Sequence, residues 1–141
     1  MVKTAVPGSD IFVSVAAVAD YRTSSASPQK IKKGSGKGRT LELEENPDIL
    51  AWVAAQPTPP LCVGFAAESE DVAKNARDKR AKKKLPLLAA NLAQRALGAD
   101  ENEITLFDDR GEHPLGHGPK IELARKLMLH LAGMSARGKR G

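Results

Sequence analysis

Residues 11–19 are apolar at every position but Ser14 and rich in Val. An unbroken run of this kind predicts a strand covered on both faces, with Asp20 standing at its tip. Residues 40–44 (Thr40, Leu41, Glu42, Leu43, Glu44) alternate apolar with polar, the pattern of a half-exposed strand at a sheet edge or in a hairpin arm. Asn46-Pro47-Asp48 then reads as a helix start. Asn46 serves as the cap, Pro47 as the first helical residue, and Asp48 faces the positive end of the dipole. That helix runs over 49–55 and stops at Pro57. Residues 61–67 form a second buried strand. Ser69, followed by Glu70 and Asp71, caps a helix that extends to about Lys84. Residues 85–90 are a third buried strand, with Pro86 near its start. Residues 103–107 are a fourth, closed by a turn at 108–111. The last helix begins near Pro119-Lys120 and carries Ile121, Leu123, Ala124, Leu127, Met128 and Leu131 at helical spacing.

Strands alternating with helices predict an α/β fold, a three-layer, Rossmann-like domain with a mostly parallel sheet. A complete fold of that type opens on a strand, a glycine-rich turn and a helix. Here the first residues read as the tail of a helix, so the sheet is expected to be N-terminally truncated. The expected organisation is one nucleotide-binding domain over 1–134 and a basic, disordered tail over 135–141, with fraying from Gly133 onward.

Composition narrows the function classes. The 141 residues are 41% hydrophobic but only 4% aromatic, so the core must be built from Ala, Val, Leu and Ile. No apolar run approaches the roughly 20 residues of a membrane-spanning helix, and the N-terminus lacks the apolar stretch of a secretory signal. The single Cys62 has no intrachain partner, which fits a reducing cytoplasm, and no polar activating group flanks it. The net charge of +5 points to an anionic partner, and fifteen of the 22 Lys and Arg fall within 30–39, 74–84 and 137–140. Nucleic acid is the generic partner for such patches, but no interleaved aromatics supply a stacking platform.

The chemistry-bearing residues cluster by pattern. Small side chains at the end of a strand, Asp20 beyond them, Lys30, Lys32 and Lys33, and the Gly/Ser-rich loop at 34–38 together give the layout of a nucleotide site at the carboxyl edge of a parallel sheet. On the helix after Ser69, Val72, Ala76, Lys79 and Lys83 fall within about 40° of one direction. The face that begins against the core therefore ends in two ammonium groups, which an anion at the sheet edge would neutralise. The competing reading is that the cationic run 79–84 leaves the core and favours the negative end of the helix dipole. Lys30 is equally readable as a solvated loop lysine, and Asp48 as a capping acid alone. His113, His117 and His130 are dispersed and form no metal spacing with Cys62, so no metal site is expected. No P-loop, complete GxGxxG, nucleophilic serine motif or HExxH is present.

The ordered set of segments resembles the phosphopantothenoylcysteine synthetase domain of bacterial coenzyme A biosynthesis, a domain usually fused behind a flavin-dependent decarboxylase. The resemblance rests on Ala16-Ala17-Val18-Ala19-Asp20-Tyr21-Arg22, Lys30-Ile31-Lys32-Lys33, Asn46-Pro47-Asp48-Ile49-Leu50, Val63-Gly64-Phe65-Ala66-Ala67-Glu68, the basic run 79–83, Asp100-Glu101-Asn102-Glu103 and Lys120-Ile121-Glu122-Leu123-Ala124. It implies a CTP-dependent ligase that joins 4′-phosphopantothenate to L-cysteine through an acyl-cytidylate. It further implies Mg²⁺ at the triphosphate, a homodimer, and FMN only in a fused decarboxylase half. The same resemblance assigns Ser14, Val15, Ala16 and Asp20 to the nucleotide, and Lys30 to the phosphates and the reacting acyl group. Pro47, Asp48, Ile49, Leu50 and Phe65 would form the base and sugar pocket, and Lys79 and Lys83 would hold the triphosphate. The chain departs from the family where Leu92-Ala93 follow Asn91 and where Ala96-Leu97-Gly98-Ala99 replace an expected Phe. The family's glycine-rich opening and acyl-intermediate Asn motif have no counterpart, so this chain is expected to supply mainly the CTP site. The alternative is a non-catalytic nucleotide- or nucleic-acid-binding α/β module.

Overall fold

The computed structural model describes residues 1–25, 27, 29, 40–96 and 98–138, the side chains of 95, 96, 137 and 138 excepted. In chain order the elements are α1 (Val2–Ala5), β1 (Ile11–Ser14), β2 (Tyr21–Thr23), β3 (Leu43–Glu45), α2 (Ile49–Ala54), β4 (Leu61–Glu68), α3 (Val72–Lys82), β5 (Leu87–Leu92), α4 (Ala93–Ala96), β6 (Glu101–Asp108), β7 (Gly111–Pro119) and α5 (Lys120–Gly138). The main sheet has the order β1-β4-β5-β6-β7. β1, β4 and β5 pair in parallel, while β6 is antiparallel to both β5 and β7. Four of the five strands thus point the same way, and the sheet is mostly parallel, as expected.

Period-two alternation splits the core into two layers. Cys62, Ala66, Leu88 and Ala90 face one side, where Leu50 and Val53 of α2 and Ala76 of α3 cover them. Val63, Leu87, Ala89 and Leu106 face the other, covered by Leu127 and Leu131 of α5. The result is helices, sheet, helix. No helix among the described residues is long and apolar enough to cross a membrane.

Several elements differ from the sequence expectation. β1 stops at Ser14, its last pairing being Ser14 with Gly64. The second half of the apolar run leaves the sheet as an exposed segment, with Val15 at 65% and Val18 at 55% exposure. Alanines at 16, 17 and 19 offer too little surface to hold it in a core. The alternating segment forms β3, but it pairs with β2 in a separate two-stranded ribbon. Asn46 is not the helix cap; Asp48 is, its Oδ1 accepting from the Ala51 N–H at 3.0 Å. Ser69 does not cap α3 either. The chain turns through a left-handed Asp71 (φ 46°), so the helix starts at Val72. β7 was hidden from sequence by its Pro and Gly. Its outer position tolerates Pro114, and an irregular register opposite Ile104 and Thr105 accommodates Gly116 at φ 82°. α5 continues through Gly138, past the expected fraying point at Gly133, because Leu131 and partly buried Met134 extend its packed face.

Candidate functional site

The carboxyl ends of β1, β4 and β5 open into a cavity of about 630 Å³, within the size range of small-molecule sites. Three groups of residues build its wall. Ser14, Val15, Ala16 and Asp20 come from the end of β1 and the segment after it, Asp48, Ile49 and Leu50 from the start of α2, and Phe65, Lys79 and Lys83 from β4 and α3. These sequence-predicted residues are therefore brought together around one space. Pro47 does not line it. Lys30 lies outside the described residues.

The two lysines of the predicted helix face both reach the cavity, and each meets a carboxylate there. Lys79 Nζ donates to Glu68 Oε1 at 3.2 Å, and Lys83 Nζ pairs with Asp48 Oδ2 at 2.8 Å. Asp48 thus does two jobs, capping α2 and holding Lys83. Partial burial pushes its carboxyl pKa upward, but the Ala51 N–H and the Lys83 ammonium outweigh that and hold it below the usual carboxylate value. Asp20 also lines the space, and among the described residues its carboxylate makes no ion pair.

The cavity floor depends on Gly64. A β-carbon there would approach Leu88 Cδ1 to 2.8 Å, Leu85 Cδ1 to 2.9 Å and Leu50 Cδ2 to 3.0 Å. A side chain at 64 would push these three leucine ends aside, and Leu50 and Leu88 are themselves part of the lining. Burial raises the Cys62 thiol above its ordinary pKa, which leaves it a core residue rather than a nucleophile.

A sequence model of the DNA/pantothenate metabolism flavoprotein C-terminal domain matches residues 1–134. The chain belongs to that family. The coenzyme A biosynthesis bifunctional protein CoaBC of Vibrio cholerae is 42% identical over 123 residues, covering 84% of this chain and 31% of that protein. CoaBC of Escherichia coli K12 is 42% identical over 134 residues, covering 91% of this chain and 33% of that protein. Among solved structures, the C-terminal domain of a CoaBC superposes with a TM-score of 0.73 at 27% identity, covering 94% of this chain and 58% of that one. This member of the flavoprotein C-terminal domain family therefore spans about a third of the length of the curated relatives it matches.

Several polar residues of this family member, Asn46, Glu68, Asn91, Asn102 and Lys120 among them, shape or line the site without having been assigned to it from sequence. Asn46 pins the exposed wall: its Nδ2 donates to the Ala19 carbonyl at 2.8 Å and its backbone N–H to the Asp20 carbonyl at 2.7 Å. Its Oδ1 accepts from Arg22 Nη1 at 2.9 Å, and Arg22 Nε in turn pairs with Glu44. Glu68 holds Lys79. Asn91, Asn102 and Lys120 bring polar groups to the cavity from β5, β6 and the start of α5. The signal for Asn102 and Lys120 was present as two segments of the resemblance, but nothing in their spacing said that β6 and α5 begin at the same edge.

Two of the three histidines, His113 and His130, meet in space. At the opposite edge of the sheet, His113 Nε2 lies 2.8 Å from Asp108 Oδ1 and His130 Nε2 lies 3.0 Å from Asp108 Oδ2. Burial of Asp108 pushes its pKa up, but His113, the Arg110 N–H and His130 overcome this and lower it to about 2. The acid that joins the two rings reads from sequence only as a turn residue.

Proposed function

We propose that this chain supplies the CTP site of an enzyme that ligates 4′-phosphopantothenate to L-cysteine in coenzyme A biosynthesis. The observation that carries the reading is the convergence of Lys79 and Lys83 on a cavity whose other walls are the backbone-rich segment after β1 and the start of α2. Family membership supports it, since the relatives are named as coenzyme A biosynthesis proteins.

In this reading the substrate carboxylate attacks the α-phosphorus of CTP and pyrophosphate leaves with the broken phosphoanhydride bond. The amine of cysteine then attacks the acyl-cytidylate, giving the amide, CMP and a proton. Lys79 and Lys83 hold the β- and γ-phosphates and neutralise charge as pyrophosphate departs. Both ammonium groups are held at the cavity by Glu68 and Asp48, and the triphosphate would take over these contacts. Ser14, Val15 and Ala16 present backbone to the nucleotide, and Asp48, Ile49, Leu50 and Phe65 flank the base and sugar, with Pro47 next to them in the chain but outside the lining. Lys30 serves the phosphates and the acyl group.

Mg²⁺ is commonly held by one or two carboxylates together with substrate phosphates. Asp20 fits that role, being a lining carboxylate without an ion pair among the described residues, whereas Asp48 is committed to Lys83. The ion would supply further neutralisation of the triphosphate. A homodimer, a fused decarboxylase domain that carries FMN, and a cytoplasmic setting complete the proposal.

Calorimetric titration of CTP, ATP and a short oligonucleotide against the chain tests this function. A clear preference for CTP is the expected result. Equal or absent binding of both nucleotides, with oligonucleotide binding that falls steeply with salt, would replace the ligase reading by a nucleic-acid-binding module.

A further inference from the structure

Asp108 stands at the far end of β6 from Asn102, about 20 Å away along the strand, so its surroundings are separate from the nucleotide cavity. Its side chain is only 3% exposed, and two imidazoles from different elements converge on it, His113 from β7 and His130 from α5. One ligating atom from each of the three residues falls within 4.8 Å of the others. We propose that Asp108, His113 and His130 form a binding site for a divalent first-row transition metal of the zinc class.

The donor set is the first argument. Two neutral imidazole nitrogens and one carboxylate oxygen suit borderline cations such as Zn²⁺ and Co²⁺, and three protein ligands leave a fourth position for water. Geometry is the second. Ligands of a tetrahedral Zn²⁺ with bonds of about 2.1 Å stand roughly 3.4 Å apart. His130 Nε2 stands 3.0 Å from Asp108 Oδ2, a separation that needs to open by only about 0.4 Å to admit the ion, while His113 Nε2, now 2.8 Å from Oδ1, turns toward the same oxygen within a set of atoms that spans 4.8 Å. The third argument is the support around the ligands. Arg110 N–H donates to Asp108 Oδ1 at 2.8 Å and fixes the carboxylate, which leaves Oδ2 for the ion. The imidazole side chains are 32% and 19% exposed, so an ion and a water have a path in.

Without the ion, the imidazoles simply hydrogen-bond the carboxylate. With it, each ring ligates through Nε2 and carries its proton on Nδ1, and the β6–β7 hairpin is tied to α5. The ion would thus tie the hairpin to α5 at one edge of the sheet, its fourth position open to water, while the nucleotide cavity occupies the other edge.

Titration of the metal-free chain with Co²⁺ tests the site. One equivalent is expected to give visible d–d absorption of a low-coordinate site, displaced by Zn²⁺. Zn²⁺ at about a hundredfold excess over its Kd is expected to raise Tm by roughly 5–10 °C. Both effects are lost in His113→Ala and in His130→Ala, but kept in His117→Ala, whose side chain is exposed and lies 3.7 Å from Glu101. Proton NMR of the unaltered chain needs no variant. Zn²⁺ at one equivalent is expected to shift the ring resonances of His113 and His130 and leave those of His117 in place. Absence of stoichiometric uptake, or uptake that shifts His117 alone, overturns the proposal.

Discussion

Lys79→Ala offers the sharpest perturbation of the proposed nucleotide site, because the structure shows what the lysine holds before a phosphate arrives. Lys79 Nζ is engaged by Glu68 Oε1 at 3.2 Å, and the lysine side chain is 41% exposed. An ion pair that open to solvent contributes at most about 1 kcal/mol. A charge-assisted contact to a phosphate contributes about 1.5–3 kcal/mol. Exchanging Glu68 for the triphosphate therefore gains roughly 1–2 kcal/mol, and losing the lysine should weaken CTP about 5- to 30-fold. CMP lacks the β- and γ-phosphates, and its affinity should change less than about threefold on the same reasoning. Glu68→Gln provides a test of opposite sign. Removing the competing carboxylate should tighten CTP by up to about fivefold while leaving CMP unchanged. Calorimetry with both nucleotides on the parent and the two variants reads all of these values. Equal losses for CTP and CMP in Lys79→Ala, or weaker CTP binding in Glu68→Gln, would refute the assignment of Lys79 to the outer phosphates.

Asn46→Ala removes the side-chain bonds to Ala19 and Arg22, so amide exchange over 15–20 should accelerate about tenfold and CTP affinity should fall several-fold, at about 0.5–1.5 kcal/mol per bond; unchanged exchange would show that Asn46 does not pin the wall. Gly64→Ala pushes a methyl into Leu50, Leu85 and Leu88, and urea unfolding should report a loss of about 1–3 kcal/mol, with weaker nucleotide binding because two of those leucines line the cavity. Asp48 has a lowered folded pKa, so its contribution is present above its unfolded value and lost as pH falls through the folded one. Asp48→Asn keeps a capping side chain but removes the titration; the acid-side loss of stability below about pH 5 should therefore be shallower than in the parent, as followed by circular dichroism.

The sequence carried the sheet well where strands are buried on both faces. The runs at 61–67 and 85–90 have no polar interruption to mislead, and both became parallel strands, the second shifted to 87–92 so that Leu85 and Pro86 precede it. It failed where the same apolar pattern served a cavity wall. Residues 15–19 look like strand, yet alanines next to a ligand space and alanines in a core are written identically. β7 was illegible for the opposite reason, since Pro114, Gly116 and Gly118 carry no strand propensity and only an outer position with an irregular register makes room for them. At the site, the helical spacing of Lys79 and Lys83 was enough to place both on one face, and the structure brings both to the cavity. Their partners Glu68 and Asp48 belong to other elements, and no spacing along the chain encodes that meeting. The same limit hid Asp108 between His113 and His130, because their encounter depends on α5 crossing the hairpin.

If the proposed function holds, CTP occupies the cavity at the carboxyl ends of β1, β4 and β5. Backbone amide NMR during a CTP titration tests it most directly. Saturable shifts are expected at Ser14 to Asp20, Asp48 to Leu50, Phe65, Lys79 and Lys83, with His113 and His130 unmoved. Shifts confined to the Asp108 edge or to the basic C-terminal end of α5, or none with CTP at all, would contradict it.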